Sequence, residues 1–173
     1  MLTLHPITPA VTHVFKQVRL RALEDSPLAF GSTYAQEIQL SDDDWQRRAS
    51  QWNQNNSIGY LAMEQQQVQG IAAGLIDAEN LEIAHLRSIW VVPEYRKSGV
   101  GTQLVAAIAD WATAKQIKAL HLTVTSNNEA AIQFYQRLGF VKTGRIEPYP
   151  NDPALVEYEM VRSLIEQTSI TQC

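Results

Sequence analysis

Between residues 82 and 115 the chain passes from a strand pattern through a glycine loop into a helix pattern, and this junction limits its fold more than any other stretch. Residues 82–92 are rich in Ile, Val and Trp, which suit a pleated, half-buried surface. Pro93 ends that run because it has no N–H for a ladder. From Gly99 to about residue 115, Val100, Leu104, Ala107, Ile108 and Trp111 recur at helical spacing. The loop between reads Arg96, Lys97, Ser98, Gly99, Val100, Gly101, Thr102. A helix start offers about four unpaired N–H groups and a partial positive charge, which together suit a phosphate. Gly99 and Gly101 carry no Cβ, so an anion can approach the backbone, and Arg96 and Lys97 add charge at the mouth. A plain strand-to-helix turn with solvated basic residues has the same local pattern, and Gly-x-Gly alone is a weak signal. Two other phosphate motifs fail. No Gly-x-x-x-x-Gly-Lys-Ser/Thr occurs, and Leu104 stands where the dinucleotide fingerprint needs its third glycine.

The flanking segments complete an α+β (mixed α/β) pattern. Residues 11–24 read as a helix with Val11, Val14, Phe15, Val18 and Leu23 mostly on one face, stopped at Ser26-Pro27. Residues 27–40 carry no clear period. Ser41 followed by Asp42, Asp43 and Asp44 reads as an N-cap and an acidic first turn, opening a helix to about Trp52. Strands are expected at 60–63 and 68–76, with Gly70 and Gly74 as bulges, and the turn between them at Gln65 to Gln67. A strand at 119–124, a helix at 128–138 closed by Gly139, and strands at 140–146 and 155–161 follow. A run of strands followed by strand–helix alternation predicts one domain over residues 1–164, with 165–173 as a frayed tail.

Charge and cysteine content narrow the function. The 14 basic and 18 acidic residues give a formal charge of −4, which argues against a nucleic-acid footprint. The one cysteine, Cys173, allows neither an internal disulfide nor a cysteine zinc site. Residues 1–9 lack a signal-peptide pattern, and no apolar run reaches membrane-spanning length. A cytoplasmic protein without membrane partners is expected.

On the residues just quoted, the chain resembles the GNAT (GCN5-related N-acetyltransferase) superfamily. Arg96-Lys97-Ser98-Gly99-Val100-Gly101 matches the family's Arg/Gln-x-x-Gly-x-Gly/Ala, and Val91-Val92-Pro93 looks like its usual strand exit. Asn128, Ala131, Phe134, Tyr135, Gly139 and Phe140 are similar to the family's second motif. The resemblance implies a twisted, mostly antiparallel sheet, splayed between its fourth and fifth strands and flanked by about four helices. It implies acetyl-CoA as co-substrate and no metal. Backbone groups of Trp90, Val91 and Val92 would pair with the pantetheine arm. Amides in the loop Arg96, Lys97, Ser98, Gly99, Val100, Gly101, Thr102 would hold the diphosphate. Asn128 would contact the arm, alongside a helix N-cap role. Tyr135 would aim its hydroxyl at the thioester sulfur, although its spacing also fits a core aromatic.

Transfer to an amine needs a base and a proton donor. An alkyl ammonium has a pKa near 10.4, so some group must take its proton at neutral pH. A neutral tyrosine can protonate the leaving thiolate. Many GNAT enzymes place a glutamate on the fourth strand where this chain has His85, which is either the base or a hydrogen-bonded sheet histidine. His85 shares a face with Arg87 and Ile89 if the strand has no bulge. Glu82 is the alternative base, and a relayed water a third route. His5, His13 and His121 have no comparable context, and four scattered histidines give no metal spacing. Phe30, Tyr34 and Tyr149 are expected to shape the acceptor pocket, with Trp45 and the loop 148–153, though each aromatic also suits a core. The expected activity is transfer of acetyl from acetyl-CoA to a primary amine of a small, amino-acid-like molecule. The alternatives are a protein N-terminus or lysine as acceptor, and a non-catalytic acyl-CoA sensor. A homodimer through the last strands or the tail is compatible with the sequence.

Overall fold

A computed structural model describes residues 1–165 of the 173. The tail expected beyond residue 165, with Cys173, lies outside the described residues. The order is β1 (Thr3–Pro6), α1 (Thr12–Asp25), α2 (Tyr34–Glu37), α3 (Asp42–Gln51), β2 (Ser57–Glu64), β3 (Gln67–Ile76) and β4 (Ile83–Val91). Then come α4 (Val100–Ala114), β5 (Ala119–Thr125), α5 (Glu129–Arg137), β6 (Val141–Pro148) and β7 (Val156–Ser163).

The strands form one seven-stranded sheet in the order β1-β2-β3-β4-β5-β7-β6. Every neighbouring pair is antiparallel except β4–β5. That parallel pair is short: Ile83, Ala84 and His85 face Ala119, Leu120 and His121, and no further register pairs follow among the described residues. Beyond His85 the two strands part, as the splayed sheet requires. Five helices cover the sheet among the described residues, one more than expected, because α2 is a single capped turn inside the unassigned stretch 27–40.

Two apolar cores sit on opposite faces. Leu104, Ile108 and Ala112 of α4 and Tyr135 of α5 pack on Ala62, Ala72, Ala84 and Leu86. Phe15, Val18 and Leu23 of α1 and Trp45 of α3 pack on Leu61, Ile71, Trp90 and Val92. Gly70 and Gly74 flank Ala72 on the α4 face; Gly70 borders a register shift, where Ala62 pairs with Gly70 and Met63 with Val68, whereas Gly74 is in regular register and is no bulge. A Cβ at Gly74 would lie 2.9 Å from Ile108 Cγ2, and one at Gly70 3.0 Å from Leu104 Cδ1. The small row Gly70-Ala72-Gly74 lets α4 approach the sheet closely.

A further bulge falls between Ile71 and Ala73, opposite Arg87 to Trp90 of β4. Ser88 there has φ 55. One extra residue flips the alternation of everything after it. His85 and Arg87 therefore keep the α1 face, while Ile89 turns to the α4 core, so Ile89 does not share their side. Strand β1 was not legible in the residue pattern; it is four residues long and carries Pro6. The β2–β3 hairpin turns through Gln65 and Gln66, both at positive φ, the primed geometry usually given to Asn-Gly.

Candidate active site

The loop after β4 forms a cradle. Lys97 (φ 64) and Gly99 (φ 94) sit in the left-handed region, which turns successive amides to one side. Gly99 caps α4 with no side-chain bond, and a Cβ there would meet nothing within 4 Å. The first helical bond runs from Gln103 N to Gly99 O at 3.0 Å. The amides of Gly99, Val100, Gly101 and Thr102 have no acceptor among the described residues. Lys97 and Ser98 are exposed beside them.

Arg96 is not a free charge at this mouth. Its Nε donates to Val91 O at 3.0 Å, and its Nη2 pairs with Asp25 at the end of α1. Asp25 also accepts from Trp90 Nε1 at 2.8 Å and from Ser26 Oγ at 2.7 Å. Desolvation pushes the Asp25 carboxyl up, but the bonds from Ser26, Trp90 and Arg96 outweigh it and leave the pKa below the usual range. Val92 N donates to Gln69 O at 2.9 Å, so Val92 and, two residues back, Trp90 turn their peptides toward β3. Of the three residues expected to pair with a cofactor arm, Val91 is the one whose peptide edge faces the gap.

The two sequence motifs meet at one point. A Cβ on Gly101 would stand 3.1 Å from Phe134 Cζ of α5 and 3.5 Å from Val91 Cγ2 of β4. Glycine at 101 thus lets α4, α5 and β4 converge. Asn128 caps α5 by accepting the Ala131 amide at 3.2 Å. Tyr135 is buried between Phe134 and Phe140, with ring centroids 5.2 and 5.7 Å away. Burial pushes its phenol pKa well above the ordinary value, so it stays protonated.

His85 stands where β4 and β5 stop pairing. Its Nε2 lies 2.8 Å from Asp77 Oδ2. Asp77 Oδ1 accepts the amides of Glu79 and Asn80 at 2.8 Å each. The His85 bond and these amides lower the Asp77 pKa to about 2. An ionised Asp77 puts the proton on Nε2 and leaves the His85 Nδ1 lone pair free. Glu82 lies before β4, exposed, and pairs with Lys118. From Glu82 to Val91 is about 30 Å of extended chain.

The residues expected around the acceptor divide. Tyr149 is 1% exposed and donates to Phe30 O at 2.7 Å and Pro27 O at 3.2 Å. It ties the loop before β7 to the loop after α1. Phe30 is buried under the Arg19 guanidinium, 4.6 Å from the ring centroid. Trp45 is wholly buried against Phe15, and Tyr34 is half-buried on the same core. Beneath α1, a cavity of about 210 Å³ is lined by Phe15, Arg19, Arg48, Trp52 and Ser88, among others.

Several residues of this region gave no sequence signal. Glu37, 2% exposed, accepts Arg19 Nη2 at 2.9 Å and Arg48 Nη1 at 3.0 Å. Desolvation raises its pKa, but these two arginines and Ser32 outweigh it and hold the carboxyl below its ordinary value. Arg19 Nη1 also reaches Ser88 Oγ, at the bulge, at 3.3 Å. Asp77, Ser88, His121 and Glu159 join the site through register alone. No group of three or more His, Cys, Asp or Glu side chains among the described residues could hold a metal.

The fold and site define a class: a sheet whose one parallel pair forks beside an amide-lined loop at a helix start. The chain belongs to the Acetyltransferase (GNAT) family, whose pattern matches residues 20–140. It is 30% identical over 87 residues to the aminoglycoside N(6')-acetyltransferase type 1 of Salmonella typhimurium, covering 44% of this chain and 60% of that one. The chain thus spans less than two thirds of that relative. Among solved structures, the acetyltransferase of the GNAT family from Streptococcus pneumoniae superposes with TM-score 0.79 at 23% identity, covering 94% of this chain and 99% of that one. The yncA structure from Salmonella typhimurium, solved with its cofactor acetyl-CoA, gives TM-score 0.79 at 17% identity over 100% and 99% of the two chains. At these identities the likeness is one of fold.

Proposed function

We propose that the protein transfers the acetyl group of acetyl-CoA directly to a primary amine of a small or amino-acid-like molecule. The observation that carries this reading is the row of unpartnered amides from Gly99 to Thr102, opening beside the fork between β4 and β5. Those amides and the α4 dipole suit a diphosphate. The free edge of β4 at Val91 suits the amide-bearing arm, once Arg96 releases that carbonyl. The residues present fit this co-substrate, since a side chain at Gly99 or Gly101 would occupy the cradle or strike Phe134.

Bound acetyl-CoA supplies the thioester. His85, held by Asp77, accepts the proton of the incoming amine at Nδ1. Glu82 is remote and ion-paired, which favours His85 over it. Tyr135, kept neutral by burial, donates to the departing sulfur. Tyr149 and Phe30 brace the acceptor wall, and Tyr34 edges it. No described helix is long and apolar enough to cross a membrane. We place the enzyme in the cytoplasm, which cell fractionation checks, and take β6, one of the two edge strands of the sheet, as the edge for a homodimer, which light scattering checks.

The test is thiol release from acetyl-CoA against a panel of amines, amino acids, polyamines and peptides. Amine-dependent release with a small molecule is expected. Release with peptides alone would move the acceptor to proteins, and acetyl-CoA binding without release would leave a sensor.

A further inference from the structure

The parallel β4–β5 ladder ends on a pair of histidines: His85 stands opposite His121 in its last rung. Both rings lie on the α1 face, away from Ala84, Leu86, Leu120 and Leu122 of the opposite core. Their centroids are 6.0 Å apart at 67°. Each has a carboxylate behind it. Asp77 holds His85, and Glu159 Oε2 of β7 lies 3.4 Å from His121 Nδ1. Glu159 is fixed by Thr143 Oγ1 at 2.8 Å. Desolvation raises the Glu159 pKa, but Thr143, His121 and Arg145 outweigh it and keep the carboxylate ionised. An ionised carboxylate at Nδ1 favours the proton there and leaves His121 Nε2 with its lone pair.

Resting on the acetyl-transfer reading above, we infer that His121, backed by Glu159, is a second proton station paired with His85. The argument is stoichiometric. An acceptor that arrives as an ammonium loses two protons from nitrogen in each turnover. The first must leave before nitrogen can attack, and the second leaves after the C–N bond forms. One proton ends on the sulfur, through Tyr135, as the C–S bond breaks. The other goes to water. A single imidazole holds one proton at a time. His85 takes the first and passes it to His121, whose ring centroid lies 6.0 Å away, and is then free for the second. The charged and titratable groups facing the pair are Asp77 from the β3–β4 turn, Arg87 on the same face of β4, Glu159 of β7 and Arg145 of β6.

The test compares two acceptors at about pH 8: the best alkyl primary amine of the panel, an ammonium there, and its β,β-difluorinated analogue, which is largely neutral. The neutral acceptor has one proton to lose. His121→Gln should lower kcat about tenfold on the parent amine, less than the roughly hundredfold loss of a primary acid–base group because His85 remains, and less than about twofold on the analogue. Glu159→Gln, which keeps the imidazole, should show the same contrast in weaker form. Acetyl-CoA affinity, measured by calorimetry, should stay unchanged in both. An equal loss on both acceptors makes His121 structural and overturns the inference. Should His85→Gln leave turnover of the parent amine intact, the base assignment fails and the paired relay with it. Should the parent protein acetylate no amine, the proposed function fails.

Discussion

At the level of single residues, the proposed transfer places opposite demands on Tyr135 and His85. Tyr135 must stay protonated until sulfur leaves, and its burial between Phe134 and Phe140 ensures that. Tyr135→Phe should lower kcat about a hundredfold, the usual scale for losing one general acid, with acetyl-CoA affinity retained. Unchanged turnover in a steady-state assay would remove the role. His85 must present a lone pair, and Asp77 provides for that by taking the other nitrogen. Asp77 also leaves a mark on stability. Its carboxyl titrates at about 2 in the folded chain, against about 3.9 in unfolded peptides. The stabilisation is therefore full above about pH 4 and is lost as pH falls toward about 2. Asp77→Asn should flatten the dependence of the urea midpoint on pH across that interval. His85 was legible because it lies on the strand before the loop. Its partners were not, since Asp77 is eight residues away around a turn and His121 becomes a neighbour only when β5 adopts one register.

Among the elements, β3 carries a glycine signal read correctly at Gly70 and wrongly at Gly74. Gly70 and Gly74 read as bulges because glycine in a strand often marks one. Gly70 does border a register shift, but Gly74 serves clearance: the added Cβ of Gly74→Ala would press on Ile108 at 2.9 Å and Trp111 at 3.0 Å. That substitution should cost about 1–3 kcal/mol of unfolding free energy, the usual cost of overpacking. A neutral result in chemical denaturation would mean that α4 is free to shift. The bulge at Ser88 carries no glycine, which is why periodicity placed Ile89 with His85. The α4 loop was legible in Gly99 and Gly101 but not in Arg96, which is taken up by Asp25 and Val91. The helices α1, α3 and α5 were legible because apolar faces, and the caps of α3 and α5, are local.

Taken as a whole, the molecule ties four elements through one buried carboxylate. Glu37 collects Arg19 of α1 and Arg48 of α3, while Arg19 extends to Ser88 of β4. Removing it leaves two guanidinium groups facing each other across α1 and α3. Glu37→Ala should destabilise the fold by about 3–5 kcal/mol in urea unfolding, whereas a loss near zero would show that solvent replaces the network. Nothing in the sequence singled out Glu37, since a glutamate in an unassigned loop reads as surface. The sheet's fork, by contrast, was implied by the family resemblance that the two motifs carry. The account stands on coenzyme A docking at that fork. The direct measurement is an amide NMR titration of the whole chain with acetyl-CoA. Large shifts at Gly99, Val100, Gly101, Thr102 and Val91 are the predicted result. Saturable binding that moves other amides and leaves residues 97–102 untouched would contradict it.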